Sequence, residues 1–446
     1  SLKIVVTKFG GSSLADSNQF KKVKGIIDSD ANRKYIIPSA PGKRTNKDYK
    51  ITDLLYLCNA HVKNGIPFDD VFKLISQRYT EIVSELNIDM DIAYYLEKVK
   101  KNIENGASSD YAASRGEYLN GVILAKYLNA EFIDAAEVIF FDKSGCFDEK
   151  KSYEKIKEKV LSCNKAVIPG FYGSSFNGDV KTFSRGGSDV TGSIISAGVN
   201  ADLYENWTDV SGFLMADPRI VENPKTISKI SYKELRELSY MGATVLHEEA
   251  IFPVKDSGIP INIKNTNKPS DPGTLILSDT HKEINLGTIT GIAGKKNFTV
   301  IAIEKALLNS EVGFCRKILS ILEMYGVSFE HMPSGVDSVS LVIEDCKLDG
   351  KCDKIIEEIK KQCNPDSIEI HPNMALVATV GTGMAKTKGI ANKIFTALSK
   401  ENVNIRMIDQ GSSEINVIVG VETVDFEKAV KSIYNAFNEG HHHHHH

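Results

Sequence analysis

The chain has 446 residues, of which 42% are apolar and 25% are charged, and its formal net charge is −4. This composition is typical of a globular protein and excludes disordered, collagen-like and mucin-like chains, while the balanced charge argues against a nucleic-acid or membrane-surface partner. No apolar run approaches the roughly 18 residues of a membrane helix and no signal-peptide pattern is present, so we expect a cytoplasmic protein without a membrane partner.

Residues 1–290 alternate β-branched runs with helical patterns. A strand is predicted at 2–7, a helix at 17–27, a strand at 35–38 and a helix at 53–64. Such alternation predicts an α/β fold with an open, mostly parallel sheet between helices. Apolar residues at helical spacing between 69 and 106 predict a helical excursion from the sheet, and the runs 130–134 and 166–169 predict two further strands.

Beyond residue 290 the sequence repeats itself at an offset of 76 residues without gaps. Asn297 falls on Asn373, Gly313 on Gly389, and the match extends through Leu341 and Val417. Each copy predicts strand, helix, two strands around a glycine turn and a second helix, a βαββα unit of about 75 residues. We therefore divide the chain into a first domain at 1–290, repeats at 297–370 and 373–439, and a linker with a hexahistidine tag at 440–446.

The segment KFGGSS (residues 8–13) lies between the first predicted strand and helix. Glycines allow the backbone to approach an anion, and a helix N-terminus favours negative charge. The spacing differs from that of a P-loop. A phosphate-binding loop and a simple tight turn both fit this segment.

The segment SRGGSD (residues 184–189) precedes a predicted helix at 190–197. Arg185 suits a phosphate or carboxylate, and Asp189 could cap the helix or hold Mg²⁺ through oxygen. A structural interpretation, in which Ser188 or Asp189 only caps the helix, stays open.

A polar turn at residues 205–212 follows another predicted strand and contains the only tryptophan. Ligands bind at the carboxyl ends of strands in open α/β sheets. Trp207 by itself is interpreted as a core residue, whereas Arg219, after Pro218, is free to reach an anion.

In chain order, KFGGSS, Ser39-Ala40 followed by RTN (44–46), RGE (115–117), GFYGS (170–174), SRGGSD, WTDVSG (207–212) and ADPR (216–219) resemble the motifs of aspartokinases in the amino-acid kinase family. The tandem repeat resembles the ACT regulatory domains of those enzymes. The resemblance covers the native chain and implies an amino-acid kinase fold followed by two βαββαβ ACT domains. It implies phosphorylation of the L-aspartate side chain by Mg-ATP to 4-phospho-L-aspartate, the first step of lysine, threonine and methionine biosynthesis.

The resemblance also implies roles for single residues. Lys8 and Asp189 would be catalytic, with Asp189 also a candidate Mg²⁺ ligand. The implied aspartate site comprises Ser39, Thr45, Glu117, Arg185 and Ser188. The implied ATP site comprises Lys8, Gly10, Gly11, Ser12, Thr208, Asp209 and Arg219, with the phosphates held by backbone and hydroxyl donors of residues 10–12.

The sequence departs from the family pattern at residues 242–248. Thr244 stands where the family commonly has lysine, and Glu248 where it has proline. A lost cation should weaken ATP binding unless Lys255 or another base substitutes. His247 is interpreted as a buried, hydrogen-bonded histidine.

The resemblance further implies that an amino-acid effector, L-lysine with L-threonine as a second candidate, binds the first repeat at Gly313, Phe314 and Glu330 and inhibits. ACT pairing implies a homodimer or a dimer of dimers. Three alternatives stay open: repeats that only dimerise the enzyme, an amino-acid kinase for glutamate, carbamate or a nucleoside monophosphate, and a non-catalytic amino-acid sensor on the same scaffold.

Overall fold

The computed structural model describes residues 3–184, 186–279, 289–308, 311–384, 389–410 and 415–438. The chain divides into two compact units. The first comprises Ser1–Phe213, Thr226–Arg236 and Val245–Lys282, and the second Leu214–Lys225, Glu237–Thr244 and Glu283–His446. In the described ranges, no helix has both the length and the apolar character needed to span a bilayer.

The first unit contains an eight-stranded sheet in the order β3-β4-β2-β1-β7-β9-β10-β8 and a separate hairpin of β5 and β6. All neighbouring strands of the sheet are parallel except β9 and β10. The strands are β1 (Val5–Phe9), β2 (Arg33–Pro38), β3 (Glu131–Phe132), β4 (Ala166–Val167), β5 (Tyr172–Ser174), β6 (Val180–Thr182), β7 (Leu203–Thr208), β8 (Lys229–Ser231), β9 (Ile261–Asn265) and β10 (Thr274–Leu277).

Helices cover both faces of this sheet. They are α1 (Ser17–Asp28), α2 (Ile51–Lys63), α3 (Asp69–Glu85), α4 (Ile92–Glu104), α5 (Ser109–Leu128), α6 (Glu149–Lys159), α7 (Gly187–Gly198), α8 (Tyr232–Tyr240), which ends in the second unit, and α9 (Glu248–Ser257). Phe9, Ile36 and Trp207 pack into the core formed with α1 to α5. Because side chains alternate along a strand, Lys8 and Asn206 point to the other face, where α7 lies. The predicted α/β class and the helical excursion are confirmed.

The second unit is built on a five-stranded antiparallel sheet in the order β12-β11-β13-β15-β14. Its strands are β11 (Gly291–Glu304), β12 (Ser338–Glu344), β13 (Ser367–Val380), β14 (Met407–Asp409) and β15 (Asn416–Glu422). Its helices are α10 (Phe314–Met324), α11 (Asp345–Leu348), α12 (Cys352–Cys363), α13 (Ile390–Lys400) and α14 (Phe426–Asn438).

The two repeats share strands. Residues 291–295 precede the first repeat, yet they pair antiparallel with 376–380, the first strand of the second repeat. In the first repeat, 367–370 pair in the same way with 301–304. The strand at 291–295 therefore completes the sheet of the second repeat, and Ile292 packs in the core of that repeat.

The register of the third strand corrects the gapless offset. Phe298 pairs with Glu344, whereas its counterpart Met374 pairs with Glu422, so the offset there is 78 residues and not 76. Gly313 and Gly389, which begin α10 and α13, keep the offset of 76. The second repeat thus has two extra residues before β15, and Leu341 corresponds to Val419.

Candidate active site

Lys8 lies at the centre of the site. It belongs to β1, whose five residues are all buried, and its Nζ is 2.8 Å from Asp189 Oδ1. Asn206, its register neighbour on β7, donates from Nδ2 to the same oxygen at 2.9 Å. An ammonium has three donors, so Lys8 can bind a second anion without releasing Asp189.

Asp189 is held in its charged form. Burial opposes ionisation, but the Lys8 charge and hydrogen bonds from Lys8 and Asn206 outweigh it and lower the pKa of Asp189. The site therefore contains a buried carboxylate and a buried ammonium whose charges balance.

The start of α7 is set by glycine. Gly186 precedes the helix at φ 81°, so Ser188 and Asp189 lie in the first turn and neither one caps it. The capping interpretation of these two residues is wrong, because Asp189 faces Lys8. A Cβ on Gly170 would lie 2.4 Å from Ser188 Oγ, so only glycine allows the loop after β4 to approach this turn. Arg185 lies outside the described residues.

The KFGGSS loop packs against the loop that follows β2. Gly42 donates its N–H to the Gly11 carbonyl at 2.8 Å, and a Cβ on Gly42 would lie 2.5 Å from Gly11 C. Gly10 donates its own N–H to the Trp207 carbonyl at 3.0 Å, so the expected Gly10 donor is already used. Gly10 instead leaves space beside Lys8, since a Cβ there would be 3.4 Å from Lys8 Nζ.

The loop at 39–48 carries Ser39, which is half-buried, and Thr45, which is exposed. Arg78 on α3 fixes this loop. Its Nη2 donates to the carbonyls of Gly42 at 2.7 Å and Ala15 at 3.0 Å, and its Nη1 is 3.3 Å from Asp48. The hydrogen bond from Arg44 holds the pKa of Asp48 well below its usual range.

Glu117 lies on α5 and is 6% exposed. Burial raises the pKa of this carboxyl to about 8, against its own backbone hydrogen bond and the nearby Arg115 charge. The Arg115 guanidinium lies 4.5, 4.3 and 5.2 Å from the ring centres of Tyr111, Tyr118 and Tyr172. Glu117 is therefore prepared to gain a charge when a cation arrives.

The end of β7 carries two predicted nucleotide residues. Thr208 is half-buried at the strand end and Asp209 is exposed in the turn after it. Trp207 is 1% exposed and stacks with Phe9, which confirms it as a core residue. Arg219 belongs to the second unit, where it pairs with Asp217 at 2.8 Å.

The departures at 242–248 have local partners. Glu248, in the first turn of α9, lies 3.4 Å from Arg236 and 3.3 Å from Lys255, so Lys255 is already paired. His247 is exposed, so its interpretation as a buried histidine is wrong. Thr244 is exposed and lies in the second unit.

Glu330, the candidate effector carboxylate, is already paired. It accepts a hydrogen bond from the Tyr240 hydroxyl, and its Oε1 is 3.2 Å from Lys347 Nζ. Although burial opposes ionisation, these contacts lower the pKa of Glu330. Gly313 precedes α10 at φ 84°, and the Phe314 side chain is buried in the core of the first repeat, which leaves only its main chain for a ligand.

A resident metal centre is not found. Within the ranges that the structure describes, no three His, Cys, Asp or Glu side chains group so as to hold a metal ion. Mg²⁺ in kinases keeps several waters and is held by one or two carboxylates together with the phosphates of the nucleotide. Asp189 as a single protein ligand fits that pattern.

Three residues of the site were missed by the sequence analysis: Asn206, Arg78 and Asn120. Asn206 could have been found, because an amide in the middle of a buried strand needs a polar partner. Arg78 and Asn120 contact loops 36 and 81 residues away, and no local pattern marks them.

Comparison with protein families places the geometry in context. Residues 3–265 match the model of the amino acid kinase family, and residues 377–437 match an ACT domain model. Aspartokinase 3 of Bacillus subtilis (strain 168) is 38% identical over 98% of this chain and 99% of its own length.

Solved structures give the same picture. A crystal structure of aspartate kinase from Clostridium acetobutylicum, described as an allosteric enzyme, is 99% identical, with a TM-score of 0.92 over 98% of this chain and 100% of that one. Escherichia coli aspartokinase III is 26% identical over 97% of this chain and 99% of its own. It has been solved with aspartate and ADP in an R-state (TM-score 0.69) and with lysine and aspartate in a T-state (TM-score 0.72).

Proposed function

Because this chain belongs to the amino acid kinase family and is an aspartokinase, we propose that the cluster of Lys8, Asp189 and Asn206 is where the γ-phosphoryl group of ATP passes to L-aspartate. The observation that carries the proposal is the buried Lys8–Asp189 pair at the carboxyl ends of the central parallel strands. Ligands of open α/β sheets bind at that edge. The aspartate and ADP bound by E. coli aspartokinase III support the same substrates here.

The reaction is a direct in-line transfer. A side-chain oxygen of aspartate forms a bond to the γ-phosphorus as the bond from that phosphorus to the bridging oxygen breaks, and ADP leaves with the electron pair. The products are 4-phospho-L-aspartate and ADP. No general base is needed, since the attacking carboxylate is ionised at neutral pH.

Lys8 stabilises the charge that develops on the transferred group. Phosphoryl transfer depends mainly on positioning and electrostatic stabilisation. Asp189 and Asn206 fix the Lys8 ammonium at the end of β1. Gly11 and Ser12 adjoin the phosphates, and Mg²⁺, with Asp189 as its protein ligand, supplies further neutralisation when bound.

The substrate aspartate is held by both loops and by α5. Glu117 meets the α-ammonium, Arg185 and Ser188 meet a carboxylate, and Ser39 with Thr45 line the same site. Thr208, Asp209 and Arg219 belong to the nucleotide side. The close contact of Gly11 with Gly42 supports this arrangement, because it joins the phosphate loop to the substrate loop.

The test of the substrate is hydroxylamine trapping, since an acyl phosphate yields a coloured hydroxamate. We expect hydroxamate and ADP to form at equal rates with L-aspartate and Mg-ATP. L-Glutamate is the control and should give neither product. Hydroxamate from glutamate alone would assign the chain to another amino-acid kinase.

Regulation is proposed at the first repeat, with L-lysine as inhibitor and L-threonine as the second candidate. The lysine bound by E. coli aspartokinase III supports it, as does the pairing of Glu330 with the Lys347 ammonium, which is chemically like the effector. Isothermal titration should detect L-lysine binding in the millimolar range or below. Glu330→Gln should abolish it and Glu357→Gln, on the exposed face of α12, should not; absence of binding to the wild type would refute the effector.

The remaining assignments follow from the activity. The product would enter lysine, threonine and methionine biosynthesis, and the ACT repeats would pair chains into a homodimer or a dimer of dimers. Light scattering of the purified chain tests the assembly, and a monomer would contradict it.

A further inference from the structure

Three buried polar atoms of the first unit have no hydrogen-bond partner among the described residues: Arg115 Nη2, Glu117 Oε1 and Asn120 Oδ1. All three belong to α5. The Arg115 guanidinium lies over three tyrosine rings, whose faces attract a cation. The two acceptors, Glu117 and Asn120, have no such compensation.

Glu117 and Asn120 are three residues apart, so they lie on one face of the helix. That face is against the loop after β2. Asn120 donates from Nδ2 to the Ser39 carbonyl at 2.7 Å, and a Cβ on Gly116 would lie 3.0 Å from Ala40 Cβ. Asn120, which is 0% exposed, is thus anchored to a residue of the proposed aspartate site.

A buried acceptor without a donor costs free energy, and two on the same face indicate a ligand rich in donors. A primary ammonium offers three N–H donors on one atom. We propose that Asn120 Oδ1 accepts a hydrogen bond from the α-ammonium of L-aspartate, beside Glu117, so that this ammonium is held by one charged and one neutral acceptor. The inference rests on the proposed function.

Asn120 then determines specificity for an amino dicarboxylate. Its Oδ1 gains a donor from L-aspartate but none from succinate, which is the same dicarboxylate without the ammonium. Its Nδ2, by contrast, positions the Ser39 loop for both compounds equally. The two roles can therefore be separated by the ligand.

The experiment compares the KM for L-aspartate with the inhibition constant of succinate in three variants. Asn120→Leu should raise the KM for aspartate about tenfold, with the succinate constant changed less than about twofold. Asn120→Asp keeps an acceptor of the same size and should retain preference for aspartate. Asn59→Leu removes a similar buried asparagine, which donates to Ala107, and should change neither constant.

Equal weakening of both ligands by Asn120→Leu would show that the residue only positions the loop and would overturn the inference, as would unchanged constants. If Asn120→Leu does not fold, loss of the aspartate preference in Asn120→Asp would also overturn it. A wild type that phosphorylates no aspartate would instead refute the proposed function, so the two failures are distinguishable.

Discussion

Glu117→Gln should remove most of the pH dependence of aspartate binding. In the wild type, burial raises the pKa of Glu117 to about 8. At pH 7 roughly one molecule in ten then carries the carboxylate, and each further unit of acidification costs about 1.4 kcal/mol to ionise it. The aspartate ammonium requires the ionised form, so binding should release a proton and weaken as pH falls.

The wild-type KM for aspartate should therefore rise about tenfold between pH 7 and pH 6, while the KM for ATP stays nearly constant. Initial rates at pH 6, 7 and 8 measure this, and titrations in two buffers of different ionisation enthalpy count the released proton. Glu117→Gln should bind aspartate more weakly at pH 8 with a flat profile, whereas Glu154→Gln, on exposed α6, should keep the wild-type slope. A wild-type KM that is the same at pH 6 and pH 8 would refute the reasoning.

The same shift affects stability. A carboxyl whose pKa is raised on folding contributes stability below its unfolded pKa near 4.5, and that contribution is lost as the pH rises towards 8. Glu117→Gln should therefore unfold at the same or a higher temperature than the wild type at pH 8. A lower unfolding temperature would show that the ionised side chain is stabilised in the free protein.

Lys347→Met should strengthen inhibition by L-lysine by up to about fivefold, because it removes the internal ammonium from Glu330, and a pair at this exposure contributes no more than about 1 kcal/mol. An unchanged lysine inhibition constant would contradict that competition. Gly170→Ala should lower the free energy of unfolding by about 1–3 kcal/mol and reduce turnover, since the new Cβ would collide with Ser188. Gly25→Ala, where a Cβ meets nothing within 4 Å, is the control, and equal denaturant midpoints for the two variants would count against the collision.

The sequence predicted elements whose residues carry a local pattern. Strand β1 and helices α1 to α5 follow from hydrophobic periodicity, and the glycine motifs lie at the carboxyl ends of strands as expected. The predicted start of α7 at residue 190 was late by three residues, because Gly186 rather than a side chain precedes the helix. The domain boundaries and the residue roles stay predictions.

What the sequence could not provide depends on contacts between distant segments. Nothing near residues 291–295 indicates that this strand completes the second repeat, since its partner is more than 80 residues away. The two extra residues before β15 appear only in the strand register. Asn120 lacks a signal for the same reason, because its meaning comes from Ser39 and from the acceptor on Glu117 one turn earlier.

The central claim is that Lys8, held by Asp189, stabilises the transferred phosphoryl group. The most direct measurement is the rate of aspartyl hydroxamate formation by Lys8→Ala, with circular dichroism to verify its fold and Lys21→Ala, on exposed α1, as the control. We predict that Lys8→Ala loses about 10²–10³-fold in kcat while Lys21→Ala keeps wild-type turnover. Near-normal turnover by a folded Lys8→Ala protein would contradict the account.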